Sequence, residues 1–209
     1  MAVSENRSRL RLNWREKGCF SLLLFFVVLV VLSAMLPPGH PRQAAASAAM
    51  QQSREIALAL FQYASDHDGK FPEGNSSTEV FQKLLDDRYA SDSALFFYPL
   101  AGKTKATTNI LTPQNVGWDV TCCVDSQSPD SLPTVFLTGY KVDYKDGGSA
   151  IPLVGQDHTY FVAVTYKDNS AKALVEKEPD GSFPKIVPED FDPHGKTYRQ
   201  LTPDGPLNP

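Results

Sequence analysis

The sequence predicts an α+β protein. An N-terminal membrane helix continues, after a proline kink, into an amphipathic helical stem packed on a small antiparallel sheet. Three observations predict it. Residues 19–36, "CFSLLLFFVVLVVLSAML", form a run of 18 positions without a charge. The next stretch, "PRQAAASAAMQQSREIALALFQYASDHDGK", carries apolar residues at helical spacing. Beyond it lie short runs rich in β-branched and aromatic residues, bounded by turn formers.

The 209 residues suit one domain plus an anchor better than two full domains. Charge divides them unevenly. Residues 1–18 hold Arg7, Arg9, Arg11, Arg15 and Lys17 against Glu5 and Glu16, so this leader is basic on an otherwise acidic chain of net charge −4. A mildly acidic body lacks the clustered Lys and Arg that nucleic acid requires, so nucleic-acid binding is excluded. At 1.5 Å per residue the uncharged run spans about 27 Å, close to hydrocarbon thickness. The basic flank places residues 1–18 in the cytoplasm and the chain from Pro37 onward outside. The expected topology is a single membrane crossing with the C-terminal part exported. Retention as an anchor is the reading adopted. Conventional cleavage within "QAAASAA" is the alternative, since small residues suit that cut.

Pro37 and Pro38 stop or kink the first helix. In the stem, residues 37–70, Met50, Ala57, Leu60 and Ala64 recur at helical spacing, and Ile56, Phe61 and Tyr63 widen the stripe. Gly69 is a left-handed stop, followed by Pro72. Residues 71–176 read as the exported α+β head. Thr78–Leu85 is a helix that Ser76, Ser77 or Thr78 can cap, with Glu79 in its first turn. "ALFFYPL", "TVFLTGY", "TYFVAVTYK" and "AKALVEK" read as strands. Asp168-Asn169 joins the last two as a tight two-residue turn, with positive φ expected at both positions. Residues 177–209 contain seven of the sixteen prolines and read as an irregular tail, either a surface wrap or a partner-contact segment.

Several motifs share an order along the chain. "KGCFSLLLFFVVLVV" holds Lys17, Gly18, Phe20, Ser21 and Leu22 ahead of an apolar run. "YASDHDGKFP" closes an Ala-rich stem. His158 and Asp168 have nine residues between them, with Asn169 next. This arrangement resembles the type IV pilin and type II secretion pseudopilin superfamily, in which a short basic leader ends in Gly before Phe or Met. The resemblance implies a pilin-like fold and a place in a bacterial inner membrane, with the C-terminal domain periplasmic or otherwise extracytoplasmic. It implies processing by a prepilin peptidase at Gly18, Cys19 or Phe20. It also implies assembly with other pseudopilins or pilins through a helix carrying Phe20, Leu23, Leu24, Phe25, Val28 and Val31. His158, Asp168 and Asn169 match a C-terminal motif of such proteins that ends in Asp-Gly. Two departures stand out. Cys19 separates the glycine from the phenylalanine. The family's glutamate at the fifth mature position is replaced by Leu23 or Leu24, depending on the cut.

Other candidates have simpler readings. Over an extended strand, His158 and Asp168 lie about 33 Å apart and cannot act as a pair. His158 then reads as a hydrogen-bonding residue at a strand end. Cys122 and Cys123 could form a strained vicinal disulfide, stay separate thiols or bridge subunits, and structural thiols or a vicinal disulfide are preferred over a redox or metal role. Asp66, Asp68 and Gly69 resemble half of a calcium loop, but Ser77 occupies its twelfth position. Asp143, Asp146 and Asp157 lie in loops where calcium could bind, with no motif to support it, so no cofactor or metal is expected. No nucleophile elbow, metal motif or phosphate loop accompanies Cys122, Cys123, His67 or His158, so catalysis is not expected. Two functional readings remain: a pseudopilin-like structural subunit, and a permanently anchored exported domain that binds a ligand through Trp118, Tyr140, Tyr144 or Tyr160.

Overall fold

The structure is a computed structural model that describes residues 25, 27, 41–155, 159–175 and 182–207. Residues 1–40 and 41–209 form separate units. In the first, Phe25 and Val27 are described, each helical and exposed. In the second, helix α1 spans Pro41–Asp66 and helix α2 spans Ser77–Asp86. Eight strands follow: β1 Trp118–Cys122, β2 Pro133–Leu137, β3 Tyr140–Val142, β4 Ala150–Pro152, β5 Phe161–Tyr166, β6 Ala171–Val175, β7 Arg199–Thr202 and β8 Gly205–Pro206. Six form one antiparallel sheet in the order β6-β5-β2-β1-β7-β8, and β3 with β4 forms a separate hairpin.

The expected pilin-like fold, with a membrane helix running through a kink into the stem, is corrected. Among the described residues no helix is long and apolar enough to cross a membrane. The architecture is mainly antiparallel sheet, with two α-helices of described bounds. Apart from Phe25 and Val27, the apolar segment 19–36 lies outside the described residues, as does the leader.

Helix α1 begins at Pro41, whose fixed φ and missing N–H suit a first turn. It packs across β5, β6 and β2. Its buried face is Ala49, Ser53, Ile56, Ala57, Leu60 and Ala64, while Met50 is only half-buried. Small side chains let the helix lie close to the strands. The one buried hydroxyl on this face, Ser53 Oγ, is satisfied by Thr165 Oγ1 of β5 at 2.7 Å. The helix ends as the sequence requires. Gly69 adopts φ 78 and its N–H donates to the Ala64 carbonyl at 2.8 Å. A Cβ there would lie 2.9 Å from Ser126 Cβ, so the position excludes larger residues on two counts.

Helix α2 spans one residue more at each end than expected and is capped by Ser76, whose side chain accepts from Glu79 N. It packs against β1 and β7, and Ser77 Oγ donates to the Trp118 carbonyl at 2.8 Å. Strands β2 and β5 are buried along their whole length, so both faces of the sheet centre are covered.

Three local expectations are corrected. "ALFFYPL" is not a strand: Ser93–Phe96 is a 3-10 turn capped by Asp92. The β5–β6 connection has four residues, 167–170, not two. Asn169 N–H donates to the Tyr166 carbonyl at 2.9 Å, and only Asn169 has positive φ, 61. Asp168 instead accepts from Ser170 N at 2.8 Å. The expected irregular tail, 177–209, supplies β7 and β8. Its residues Ile186, Val187, Phe191, Tyr198 and Leu201 are buried. Its 184–188 stretch hydrogen-bonds along residues 147–150. Gly148 permits the close turn of the β3–β4 connection, because a Cβ there would collide with the Asp143 carbonyl.

Two stability measurements check this account. Leu60→Ala, in a fully buried site, should cost about 2–5 kcal/mol in urea unfolding. Truncation after Lys196 removes β7 and should abolish the cooperative unfolding transition, whereas loss of a dispensable tail would leave it intact.

Candidate functional site

The most concentrated polar chemistry sits where β1 meets β7. In that ladder Thr121 opposes Gln200 and Cys122 opposes Arg199. Alternation puts Asp119 and Thr121 on one face of β1, and Trp118, Val120 and Cys122 on the other. Gln200 is therefore a diagonal neighbour of Asp119 on the same face. Its Nε2 donates to Asp119 Oδ2 and to the Tyr140 carbonyl, each at 2.6 Å. Its Oε1 accepts from Val142 N at 3.0 Å. One side chain thus fastens β7 to β1 and to the β3–β4 hairpin.

Asp119 is fully buried. Burial pushes its carboxyl up to about 7, against the hydrogen bonds of Gln200 and Thr138 and the charge of Lys103, which favour the ionised form. Oδ1 has no partner of normal hydrogen-bond geometry, although the Thr138 hydroxyl lies close enough to help hold the charge. Thr138 also lines an open cavity of about 320 Å³ with Lys103, Gln114, Thr202 and Asp204. Lys103 Nζ donates to the Pro113 carbonyl at 2.9 Å, and burial lowers its pKa.

On the opposite face of β1, Cys122 Sγ lies 3.0 Å from Cys123 Sγ, and both cysteines are free. Cys123 is exposed and has φ 64. Burial raises its thiol pKa, reinforced by the Cys122 contact and opposed by Arg199. Farther along β1, Thr121 Oγ1 and Tyr144 Oη share a hydrogen bond at 2.7 Å. Burial pushes the Tyr144 phenol upward.

The other residues singled out in the sequence are dispersed. Gly18, Cys19, Phe20, Leu23, Leu24, Val28 and Val31 lie outside the described residues, as do His158 and Asp157. Asp168 and Asn169 are turn residues. Trp118 and Tyr140 are core side chains, fully buried, so neither can meet a ligand at the surface. Tyr160 is partly exposed, stacks with Arg42 at 5.1 Å and donates to the Arg42 carbonyl. Asp143 pairs with Lys145 at 2.8 Å. Among the described residues no group of three His, Cys, Asp or Glu side chains is placed to hold a metal ion. His67 stacks on Tyr63, and Asp66 accepts from Tyr89 Oη at 2.8 Å, which are helix-end contacts.

Sequence reasoning passed over Asp119, Gln200 and Arg199. The alternation in "WDVTC" was a legible strand signal. Alternation alone would have turned Asp119 to solvent. Comparison with protein-family models, with curated proteins and with solved structures finds no match.

The pH dependence of Asp119 has a defined sign. An ordinary aspartate titrates near 4. Between that pH and about 7 the folded chain keeps a proton that the unfolded chain has released. The resulting stability is complete below about pH 4 and is lost as pH rises through 7, by up to about 4 kcal/mol. Asp119→Asn keeps an acceptor for Gln200 and removes the titration. Urea unfolding from pH 4 to 8 should therefore show the wild type losing stability relative to the variant as pH rises. A constant difference would show that Asp119 does not titrate in this window.

Proposed function

We propose that the chain is a pseudopilin-like structural subunit of a type II secretion or type IV pilus-like system, acting through assembly rather than catalysis. The observation that supports this most is α1. It starts at Pro41, five positions after the apolar segment ends, and buries a face of alanines, Ser53, Ile56 and Leu60 on the sheet. A head carried on its own N-terminal helix, next in sequence to an uncharged apolar segment with a basic flank, suits a subunit that assembles through that segment. Residues Phe20, Leu23, Leu24, Phe25, Val28 and Val31 would supply apolar packing between subunits. Gly18 with Cys19 or Phe20 would supply the peptidase site. The partners in this reading are a prepilin peptidase and other pseudopilins or pilins. The place is the inner membrane, with the 41–207 body outside the cytoplasm.

One observation favours a second reading. Leucine stands where the family has a glutamate, at Leu23 or Leu24. A buried carboxylate among apolar segments is costly and therefore functional where it occurs. Without it, the same chain would serve as an exported binding domain that is anchored and never assembled.

The N-terminal sequence and intact mass of the protein from membranes separate the two readings. Cells with and without a co-expressed prepilin peptidase should differ, with a peptidase-dependent cut after Gly18 or Cys19. A chain that starts at Met1 under both conditions would overturn the processed-subunit reading.

A further inference from the structure

We propose that Cys122 and Cys123 form a reversible thiol–disulfide exchange site, closing a bond between chain neighbours when a small-molecule or protein disulfide reacts with them. Adjacent cysteines in a continuing strand would point to opposite faces, with their sulfurs held apart. Here the strand ends at Cys122. Cys123 turns into the left-handed region at φ 64, which non-glycine residues seldom occupy. The turn brings the two sulfurs to 3.0 Å, about 1 Å from bonding distance. Both flanks of the turn are fixed. Cys122 is paired with Arg199 in the ladder. Val124 is buried, and its carbonyl accepts from Phe71 N at 3.0 Å.

Arg199 is the second observation. It opposes Cys122 in the ladder, and its charge draws the Cys123 thiol pKa down, against the burial and the Cys122 contact that raise it. Exposure sets the order of events, because Cys123 is open to solvent and Cys122 is half-buried. The Cys123 thiolate attacks one sulfur of the incoming disulfide. A mixed disulfide forms and one thiolate leaves. The Cys122 thiolate then attacks Cys123 Sγ, closes the vicinal bond and expels the second thiolate. The chain loses two electrons and two protons, and the incoming disulfide becomes two thiols. The chemistry does not depend on the proposed assembly role.

The test uses the full chain with Cys19→Ser, equilibrated in oxidised and reduced glutathione, alkylated and mapped by mass. The peptide holding both cysteines should lose two hydrogens, resist alkylation, and recover both thiols in dithiothreitol. The folded chain should form the bond at about a tenfold lower ratio of oxidised to reduced glutathione than the chain in urea, a shift of about 30 mV for this two-electron couple. Cys122→Ser should stall as a glutathione adduct on Cys123. Arg199→Gln should raise the pH midpoint of thiol alkylation. Free thiols in every buffer would overturn the proposal. So would a lasting adduct on the unmutated pair, dimers linked through Cys123, or equal ratios with and without urea.

Discussion

Gln200 is the residue on which the two halves of the body depend. Three buried groups need partners: the Asp119 carboxyl, the Tyr140 carbonyl and the Val142 N–H. Gln200 alone presents donors and an acceptor that satisfy all three. A primary amide is the one neutral side-chain type that can both donate twice and accept within a single group. Glutamate at this position could not donate to Asp119, and an aliphatic residue would leave three groups desolvated and unpaired, each a cost of roughly 1–3 kcal/mol. The network also explains how a carboxyl is accommodated in the middle of a sheet. Gln200 donates to it, Thr138 lies beside it, and burial keeps it protonated up to about pH 7.

The cover on the sheet is built from unlike materials. α1 contributes alanines, Ile56 and Leu60 with one serine, and that serine finds Thr165. Residues 184–191, far along the chain, contribute Ile186, Val187 and Phe191 to the same core. Their prolines do not prevent this, because the stretch needs only single hydrogen bonds to 147–150 rather than a continuous ladder. The carbonyls of Pro184 and Pro188 serve as acceptors there, and an acceptor is the one backbone function that proline retains.

What the sequence revealed follows from how local each signal is. The stem helix, its stop at Gly69 and the Ser76 cap depend on residues within a few positions of one another, and these features are where the pattern placed them. Strands at 133–137, 161–166 and 171–175 were visible as β-branched and aromatic runs. "ALFFYPL" shared that composition, yet Asp92 caps a 3-10 turn there, because an Asx contact outweighed β propensity. The C-terminal strand was illegible for a different reason. "YRQLT" is short, polar in part and preceded by prolines. Its place beside β1 depends on partners such as Asp119, about 80 positions earlier. The buried carboxyl and its amide partner identify each other only when the two strands are side by side.

The β1–β7 ladder therefore carries two chemistries on two faces. Asp119 and Gln200 look toward the β3–β4 hairpin, where a proton is gained or lost inside the core. Cys122 and Arg199 look the other way, at the end of the strand, where the neighbouring sulfurs meet solvent. The faces differ because side chains in a strand alternate, so three positions along β1 suffice to move from a sealed site to an open one. The register that opposes Cys122 to Arg199 also opposes Thr121 to Gln200. A slip of one residue would reverse both assignments, burying the guanidinium and leaving Asp119 without its amide. The carboxyl in the core and the cation beside the thiols thus select the same pairing, and the pairing in turn draws the C-terminal stretch into the sheet.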